Sequence, residues 1–380
     1  MKNLNVEIKE LGQTVLVLQG GGALGAYQAG VFQALHERGI ELDWIIGTSI
    51  GAINAALIAG SAPGDRLDRL REFWRRVEHG RYVADALPAW VGAATRHMLA
   101  YTGGVPGFFA PNPMAFLGLQ LPLGPEGAGY YSVSRLRRTL EELVDFGRVN
   151  AGPMRLTVGA SNVRTSEMRY FDSRDMPLDV RHVMASGALP PAFPAVRING
   201  ELYWDGGILS NTPVEAVFDD RPRRSSVMFA VHLWNPHGRE PRTIWEVMNR
   251  QKDLQYSSRT TTHIHRQRQI HKLRHIIAEL AALVPEDRRR DNLVAEMISY
   301  GCLTQMHVIR LLAPELDYED HARDIDFSPK SIAERWQAGF RDTCETLDKA
   351  PWRLPYDPTE GFILHEACEG RIINHAEAAE

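Results

Sequence analysis

The stretch WIIGTSIGAINAA, residues 44–56, decides the fold because it leads from an apolar run through a glycine-flanked serine into a run of small residues. Residues 44–46 show no polar alternation, as expected of a strand that is buried on both faces. Residues 52–56 are small enough for a helix that packs closely on that strand. The stretch therefore predicts a strand, a tight turn and a helix, the arrangement found in α/β proteins.

The turn between this strand and helix matches the pattern G-x-S-x-G at Gly47–Gly51. In a nucleophile elbow the serine hydroxyl projects above the sheet, and the N–H of the next residue can bind an oxyanion. Here these groups are the Ser49 hydroxyl and the N–H of Ile50. A serine that caps a packed helix is the alternative, but it explains Ser49 and not the two glycines.

A glycine-rich loop, QGGGALGAYQAG at residues 19–30, lies upstream of the elbow and follows the apolar run 15–18. Successive N–H groups ahead of a helix can converge on an anion. From Gly20 to Ser49 the chain has the length of one βαβ unit, which would bring the loop and the serine to the same sheet edge. The loop glycines with this role are Gly20, Gly21, Gly22 and Gly25.

Two functions of the glycine loop stay open on its own pattern. It also fits G-x-G-x-x-G, the dinucleotide-binding fingerprint, which expects an acidic residue about 20 positions further on at a strand end. Glu37, Glu41 and Asp43 are close by, but none clearly ends a strand. An oxyanion hole needs a nucleophile beside it, and the elbow supplies one, so we favour the oxyanion hole.

The serine needs a base, and the stretch YWDGGILSNTP, residues 203–213, offers Asp205 at a strand end before Gly206 and Gly207. This placement favours a carboxylate that points into a site, while an Asx turn explains the aspartate equally well. His232 ends a later strand, and the order Ser49, Asp205, His232 is that of an α/β-hydrolase triad.

At this point the chain resembles the patatin-like phospholipase family. The resemblance rests on the loop Gly20–Gly25, the elbow Gly47–Gly51 and the motif Asp205–Gly207, in that order, and on the segment ASGALPPAFPAV at residues 185–196. It spans about residues 15–231. It implies an α/β fold of three layers, α/β/α, with a mostly parallel central sheet, and hydrolysis of lipid acyl esters.

The resemblance also implies a Ser–Asp dyad without histidine. Ser49 would attack the ester carbonyl, Asp205 would accept its proton and later activate water, and backbone N–H groups of the glycine loop would hold the oxyanion. We therefore expect no role for His232, and neither a cofactor nor a metal. Many members of the family have Lys or Arg where this chain has Leu24. Because the expected oxyanion donors are backbone N–H groups, this difference leaves them in place.

Residues 80–130 are predicted to form an apolar, lid-like insert. Within it, residues 104–129 contain eleven Gly or Pro among 26 residues, and Glu126 is their only charge. Regular structure is not expected in such a stretch, and a long apolar loop is typical of a lid over a binding site. The candidates for lining or covering an acyl site are Phe108, Phe109, Met114 and Phe116.

The composition fits one large α/β domain with a smaller unit. The 380 residues are 44% hydrophobic and 24% charged with a net charge of −4, which does not suggest a nucleic-acid partner. Three cysteines favour a reducing compartment over a disulfide framework. The apolar run near the N-terminus is too short for a signal sequence, and no later segment has the pattern of a membrane span. We therefore expect a cytoplasmic protein, with peripheral contact to a membrane as an option and no crossing of it.

We predict an acyl hydrolase domain over residues 1–235 and a mainly helical extension over residues 236–380. Residues 242–275 hold eight Lys or Arg against two acidic residues, so this extension either presents a solvated helix face or contacts an anionic membrane or partner. The expected substrate is a lipid or another acyl ester. Hydrolysis of a hydroxyalkanoate polyester or a thioester and a non-catalytic membrane or granule adaptor are the alternatives, and the oligomeric state is open.

Overall fold

The structure, a computed structural model, describes residues 4–79, 102–118, 120–238, 240–316, 322–357, 360–368 and 371–374. Residues 80–101 of the predicted insert thus lie outside the described part. The described helices are α1 (Leu4–Leu11), α2 (Ala26–Glu37), α3 (Ile50–Ala59), α4 (Arg66–Arg76), α5 (Ser134–Leu143), α6 (Phe146–Ala151), α7 (Val180–Ser186), α8 (Glu215–Phe218), α9 (Ile244–Leu283), α10 (Asn292–Ser299) and α11 (Pro329–Lys349).

The described strands form one large sheet and one short pair. They are β1 (Gln13–Leu18), β2 (Trp44–Gly47), β3 (Ala110–Pro111), β4 (Tyr131–Ser132), β5 (Arg155–Asn162), β6 (Met168–Asp172), β7 (Val196–Ile198), β8 (Glu201–Asp205), β9 (Ser226–His232), β10 (Met306–Leu312), β11 (Phe362–Cys368) and β12 (Arg371–Asn374). The sheet order is β12-β11-β10-β9-β1-β2-β5-β8-β7, β6 also pairs with β5, and β3 pairs with β4.

The six strands from β11 to β5 run parallel, while β12, β6, β8 and β7 are antiparallel additions at the two ends. Parallel strands must be buried on both faces, which explains the continuous apolar runs of β1 and β2. The sheet is therefore mixed and mostly parallel, as the sequence predicts.

Alternate residues of β1 face two separate cores. Leu16 and Leu18 pack into a large cluster with the helices α1 to α5, α7 and α11. Val15 and Val17 pack into a smaller cluster that includes Phe218 of α8 and the α9 residue Ile264. Because strand side chains alternate between faces, helices cover both sides of the sheet, and the fold has three layers, α/β/α.

The C-terminal part of the chain belongs to the same sheet and the same core. β10 pairs with β9 along its whole length, and β11 follows it. On one face α11 packs closely against α2. At this contact a side chain on Gly30 would collide with the carbonyl of Trp336, and a side chain on Gly339 would collide with the carbonyl of Tyr27. These strands were not predicted. The division at residue 235 stays a prediction, but the two parts share one sheet.

Two local predictions are confirmed near the site. β7 and β8 form a hairpin through Asn199 and Gly200, whose φ angles of 49° and 87° suit the tight turn that this dipeptide favours. The described part of residues 104–129 contains only the two-residue strand β3 and a single 3-10 turn, Pro113–Phe116. None of the helices in the described ranges combines the length and the hydropathy needed to span a bilayer.

Candidate active site

The strand β5 brings the predicted nucleophile and base together. β2 runs parallel to β5 and ends with Gly47 beside Val158, while β8 runs antiparallel and ends with Asp205 beside Ala160. Both strands lie on the same edge of β5, because β6 occupies the other edge over these positions. The C-terminal ends of β2 and β8 therefore face each other at Gly159, and the residues that follow these two strands converge.

The elbow has the strained backbone that its pattern predicts. Ser49 adopts φ 56° and ψ −124°, in the region that side chains rarely occupy. A Cβ on Gly47 would collide with the backbone of Gly51, and a Cβ on Gly51 would collide with the carbonyl of Leu18. Both glycines are thus required by close backbone approach, which answers why they flank the serine.

Ser186, at the end of α7, holds the elbow in place through its hydroxyl. Its buried Oγ accepts a hydrogen bond from the N–H of Ser49 at 3.0 Å and donates one to the carbonyl of Gly159 at 2.6 Å. This hydroxyl therefore ties the turn to the central residue between the two strand ends. The sequence pattern of the segment 185–196 does not by itself indicate this role for Ser186.

The carboxylate of Asp205 is buried, at 2% exposure, and faces the Ser49 hydroxyl. It accepts a hydrogen bond from the N–H of Gly207 at 2.7 Å, and the neighbouring Ser49 hydroxyl also favours its ionised form. Burial raises the pKa of Asp205 from 3.8 to about 7, and the Ser49 hydroxyl and the Gly207 N–H, which favour the ionised carboxylate, partly offset that rise. A carboxylate with this pKa can accept a proton near neutral pH.

The glycine loop lies across the site from Ser49 and Asp205. The carbonyl and the N–H of Gly20 hold this loop in place. The N–H of Gly20 donates to the carbonyl of Asn211 at 3.2 Å, and its own carbonyl accepts from Asn211 Nδ2 and Trp234 Nε1 at 3.1 and 2.8 Å. Among the described residues, nothing accepts the N–H groups of Gly21 and Gly22. These two groups, and not that of Gly20, are available to an oxyanion.

Gly22 also carries a constraint from the C-terminal part of the chain. Its φ is +56°, and a Cβ there would collide with the carbonyl of Asp324. Gly25 does not line the site; a Cβ on it would press against Ile50 at 2.6 Å. The expectation that Gly25 donates to an oxyanion is therefore corrected, because this glycine serves the close packing between the loop and α3.

A chain of buried amides braces the loop. Trp74 Nε1 donates to Asn54 Oδ1, and Asn54 Nδ2 donates to Gln28 Oε1 at 3.0 Å and to the carbonyl of Gly25 at 3.0 Å. Gln28 Nε2 donates to the carbonyl of Gln19 at 2.6 Å. Connected buried networks of this kind rigidify a site. The loop is consequently preorganised, as an oxyanion hole requires.

Ser49 and Asp205 open into a cavity of about 260 Å³ whose walls are mostly apolar. Four phenylalanines form one wall, with ring centroids of neighbouring pairs 5.5–5.6 Å apart. The lining residues are Gly20, Gly21, Gly22, Ser49, Ile50, Ile53, Phe108, Phe109, Tyr131, Gly187, Leu189, Ala192, Phe193, Asp205, Gly207, Asn211, Trp234, Tyr256, Asp324, Ile325 and Phe327.

The insert contributes to this cavity with two of its four predicted residues. Phe108 and Phe109 lie in the wall, but Met114 and Phe116 do not line it. The turn Pro113–Phe116 projects from the wall instead, and both side chains are exposed. These two residues do not line the cavity, and a covering position for them stays a prediction; Asn112 holds the base of their turn to the carbonyls of Gly127 and Gly129.

The C-terminal part supplies one side of the cavity, which sequence reasoning missed. Tyr256 of α9 and the segment Asp324–Phe327 line it. Two ion pairs fasten this segment to α9: Lys252 with Asp324 at 2.5 Å, and Asp253 with Arg323. No local motif marks these residues as part of a site, because only the long-range pairing of β10 with β9 brings them there.

His232 lies away from this arrangement. It is 1% exposed within β9 and does not line the cavity. Burial, with a smaller effect from Arg310, lowers the pKa of His232 well below its ordinary value, so the imidazole is neutral. Within the described ranges, no group of three or more His, Cys, Asp or Glu could hold a metal ion.

Comparison with known families agrees with this architecture. A family model described as patatin-like phospholipase matches residues 16–218, more than half of the chain, and one described as patatin phospholipase matches residues 254–359. The chain therefore belongs to the patatin-like phospholipase family. The first match includes the elbow, the glycine loop and Asp205, and the second includes the residues of α9 and Asp324 that line the cavity.

Individual relatives are distant. Lysophospholipase NTE1 of Yarrowia lipolytica is 25% identical over 255 residues, which cover 60% of this chain and 15% of that protein. An uncharacterized NTE family protein of Mycobacterium tuberculosis is 28% identical over 212 residues, 54% of this chain and 28% of that protein. The chain thus matches less than a third of the length of either curated relative.

Among solved structures, VipD from Legionella pneumophila shares 17% identity with a TM-score of 0.37, over 89% of this chain and 67% of that chain. This likeness is too weak to add to the family assignment.

Proposed function

We propose that this protein is a serine acyl hydrolase that cleaves carboxylic esters of lipids. The observation that carries the proposal is the position of the Ser49 hydroxyl beside the buried Asp205 carboxylate, in an apolar cavity beside two N–H groups without acceptors in the described chain. Nucleophile, base and oxyanion donors are the three parts that acyl transfer requires.

In the proposed first half-reaction, Ser49 Oγ attacks the carbonyl carbon of the ester and its proton passes to Asp205. The N–H groups of Gly21 and Gly22 stabilise the oxyanion of the tetrahedral intermediate. As the intermediate collapses, the bond to the leaving alcohol breaks, and that alcohol takes the proton from Asp205. The acyl group remains on Ser49 as an ester.

In the second half-reaction, Asp205 accepts a proton from water, and the resulting hydroxide attacks the acyl carbonyl. Collapse of this second intermediate releases the fatty acid, and Ser49 recovers its proton from Asp205. The raised pKa of Asp205 suits both directions of proton transfer, since a general base works best when its pKa is close to the operating pH.

The apolar lining of the cavity favours recognition of the substrate through a lipid acyl chain. Phe108, Phe109, Phe193 and Phe327 offer apolar surface next to Ser49, and relatives of this chain carry the name lysophospholipase. We propose a phospholipid, a lysophospholipid or a glyceride as substrate class. A polyester or thioester would have to bind the same aromatic wall.

We further propose that the turn Pro113–Phe116 touches a lipid surface. Met114, Phe116 and the following Leu117 are large, apolar and exposed beside the cavity. Phe116 packs on Tyr130 at a ring distance of 6.0 Å, and the next residue, Tyr131, lines the cavity. Exposed apolar residues of this kind mark interaction sites. The turn would thereby place the cavity next to the lipid that it receives.

The deciding experiment measures fatty acid release from phosphatidylcholine, lysophosphatidylcholine, a monoacylglycerol, a hydroxybutyrate oligomer and an acyl thioester. Ser49→Ala and Asp205→Asn should each lower the rate by about a thousandfold or more, as for other covalent nucleophiles and their bases. His232→Ala should stay within about tenfold of wild type, a barrier change of about 1.4 kcal/mol.

Two outcomes would contradict the proposal. Loss of activity in folded His232→Ala to the level of Ser49→Ala would replace the dyad with a triad. A folded wild-type chain that hydrolyses none of these esters would favour the adaptor.

A further inference from the structure

The segment of residues 322–327 lies between the glycine loop and the helix α9. It contains a single 3-10 turn, Arg323–Ile325, and three of its residues, Asp324, Ile325 and Phe327, line the cavity. None of these three residues carries out a step of the proposed reaction. Any effect of the segment on that reaction must therefore pass through its packing on the residues that do.

On the cavity side the 322–327 segment packs against the glycine loop. A Cβ on Gly22 would come within 2.1 Å of the carbonyl oxygen of Asp324, so the two backbones are in close contact. The N–H of Gly22 is one of the two groups that the glycine loop offers to an oxyanion. Because the chain turns at this contact, with a φ of +56° at Gly22, the position of Asp324 limits the directions that this N–H can take.

On its other side the segment is tied to α9 by two ion pairs between consecutive residues of both elements. Lys252 Nζ lies 2.5 Å from Asp324 Oδ1, and Arg323 pairs with Asp253. The second pair is buried, whereas the side chains of Lys252 and Asp324 are 30% and 24% exposed. Breaking a buried pair is strongly destabilising, but a partly exposed pair can be removed at low cost to the fold. The contact between Lys252 and Asp324 is therefore the one that a substitution can test.

The chain after β9 fixes α9 at the same place. Asp253 accepts a hydrogen bond from the N–H of Asn235 at 3.2 Å, and the ring of Tyr256 packs on that of Trp234 at a centroid distance of 4.9 Å. Trp234 Nε1 in turn donates to the carbonyl of Gly20 at 2.8 Å. The first half of α9 thus supports the start of the glycine loop through Trp234, in addition to the contact at its far side through the 322–327 segment.

We propose that Lys252 is a positioning residue of the oxyanion hole and acts through Asp324 on Gly22. Its ion pair holds the 322–327 segment against the glycine loop, which keeps the N–H of Gly22 directed at the place where the oxyanion forms. Donors of this kind stabilise a transition state only when they are fixed in advance. The kinetic part of this inference rests on the proposed ester hydrolysis, while its structural part rests on the ion pair alone.

The first measurement is the rate of ester hydrolysis in Lys252→Met, which removes the charge and keeps an unbranched side chain. Because the oxyanion forms only in the transition state, kcat should fall about 10- to 100-fold while KM stays within about twofold. Lys252→Arg keeps an ion pair and should have a kcat within about threefold of wild type. Lys272→Met is the matched control, since Lys272 also lies on α9 and pairs with a carboxylate outside the cavity, that of Glu360 at 3.2 Å. It should retain wild-type kinetics.

The second measurement, amide hydrogen exchange of the glycine loop, does not depend on catalysis. The N–H groups of Gly20 and Leu24 report on the loop, because both donate to backbone carbonyls at 3.2 Å. Lys252→Met should make their exchange at least about tenfold faster, since a loop that has lost its support opens more often. Lys272→Met should leave their exchange as in wild type. Circular dichroism would verify that each variant is folded.

Unchanged exchange of the loop in folded Lys252→Met would overturn the positioning role, whether or not the wild type hydrolyses esters. A higher KM at constant kcat would also overturn it, since Lys252 would then act in substrate binding. Recovery of kcat in the double variant Lys252→Met, Asp324→Asn would overturn it as well, by showing that Lys252 only neutralises the charge of Asp324. Faster loop exchange in Lys252→Met together with an inactive wild type would support the positioning role and count against the proposed ester hydrolysis.

Discussion

The Ser49 hydroxyl lies beside the carboxylate of Asp205 in one cavity, although 155 residues separate the two in the chain. The contact exists because β2 and β8 approach each other along one edge of β5 and end on either side of Gly159. The geometry of the proposed dyad is thus a property of strand register.

The first prediction concerns pH. Since burial raises the pKa of Asp205 to about 7 and the base must be ionised, kcat/KM should rise as the pH increases through about 7 and level off above it. A pH–rate profile of wild type between pH 5 and pH 9 measures this. A rate that is already constant from pH 5 upward would show that Asp205 is not the base.

The titration of Asp205 should also make the free energy of unfolding depend on pH, and this free energy should fall with rising pH where the rate increases. Between about pH 4 and pH 7 the unfolded chain ionises Asp205 while the folded chain keeps it protonated, so the free energy of unfolding should fall as the pH rises. The total is on the order of 4 kcal/mol. Asp205→Asn should therefore be more stable than wild type at pH 8 and similar to it at pH 4, as urea unfolding can measure. Ser49→Ala serves as the control.

The second prediction concerns Ser186. Ser186→Ala removes the acceptor of the Ser49 N–H, so the elbow should lose its position and kcat should fall about 10- to 100-fold with little change in KM. Ser61→Ala is the matched control, because Ser61 is also buried and donates to a carbonyl, that of Leu57, outside the cavity. Equal kinetics of the two variants would remove the positioning role of Ser186.

The third prediction separates close packing from backbone strain. Gly22→Ala would place a Cβ against the Asp324 carbonyl, which should displace the loop and lower the rate by about 100-fold or more. Gly39→Ala is the control, since Gly39 also has a positive φ, +71°, but has open space around it. It should cost about 1 kcal/mol of stability without loss of rate. Full activity in Gly22→Ala would place the oxyanion hole elsewhere.

How far these features could be predicted depends on whether they are local. The elbow, the glycine loop and the Asn199–Gly200 turn are short motifs, and the structure has each where the sequence indicates. The strand β10 was missed although Val308, Ile309 and Leu311 form an apolar run, because the surrounding basic and helical residues suggested an appendage. The Ser186 contact could not be predicted, since it depends on the position of Gly159 across the sheet.

The cavity wall shows the same limit. Phe108 and Phe109 lie in the wall, yet Met114 and Phe116, which belong to the same apolar stretch of sequence, lie outside it. Sequence composition does not distinguish them, because the difference arises where Asn112 turns the chain.

The fourth prediction concerns the lipid surface. Phe116→Asp should lower hydrolysis of substrate in vesicles at least tenfold and leave hydrolysis of a soluble short-chain ester nearly unchanged, because the residue lies outside the cavity. Leu293→Asp is a matched control, as Leu293 and Phe116 are both 64% exposed. Equal losses on both substrates would indicate a damaged fold and not a lost surface contact.

The most direct test of the central claim is covalent labelling with a fluorophosphonate, which reacts with activated serines. Mass spectrometry of the digested wild-type chain should find a single adduct, on Ser49. Labelling should vanish in Ser49→Ala, slow strongly in Asp205→Asn and persist in His232→Ala. A folded wild-type chain without an adduct, or an adduct that persists in Ser49→Ala, would contradict the assignment of Ser49 as the nucleophile.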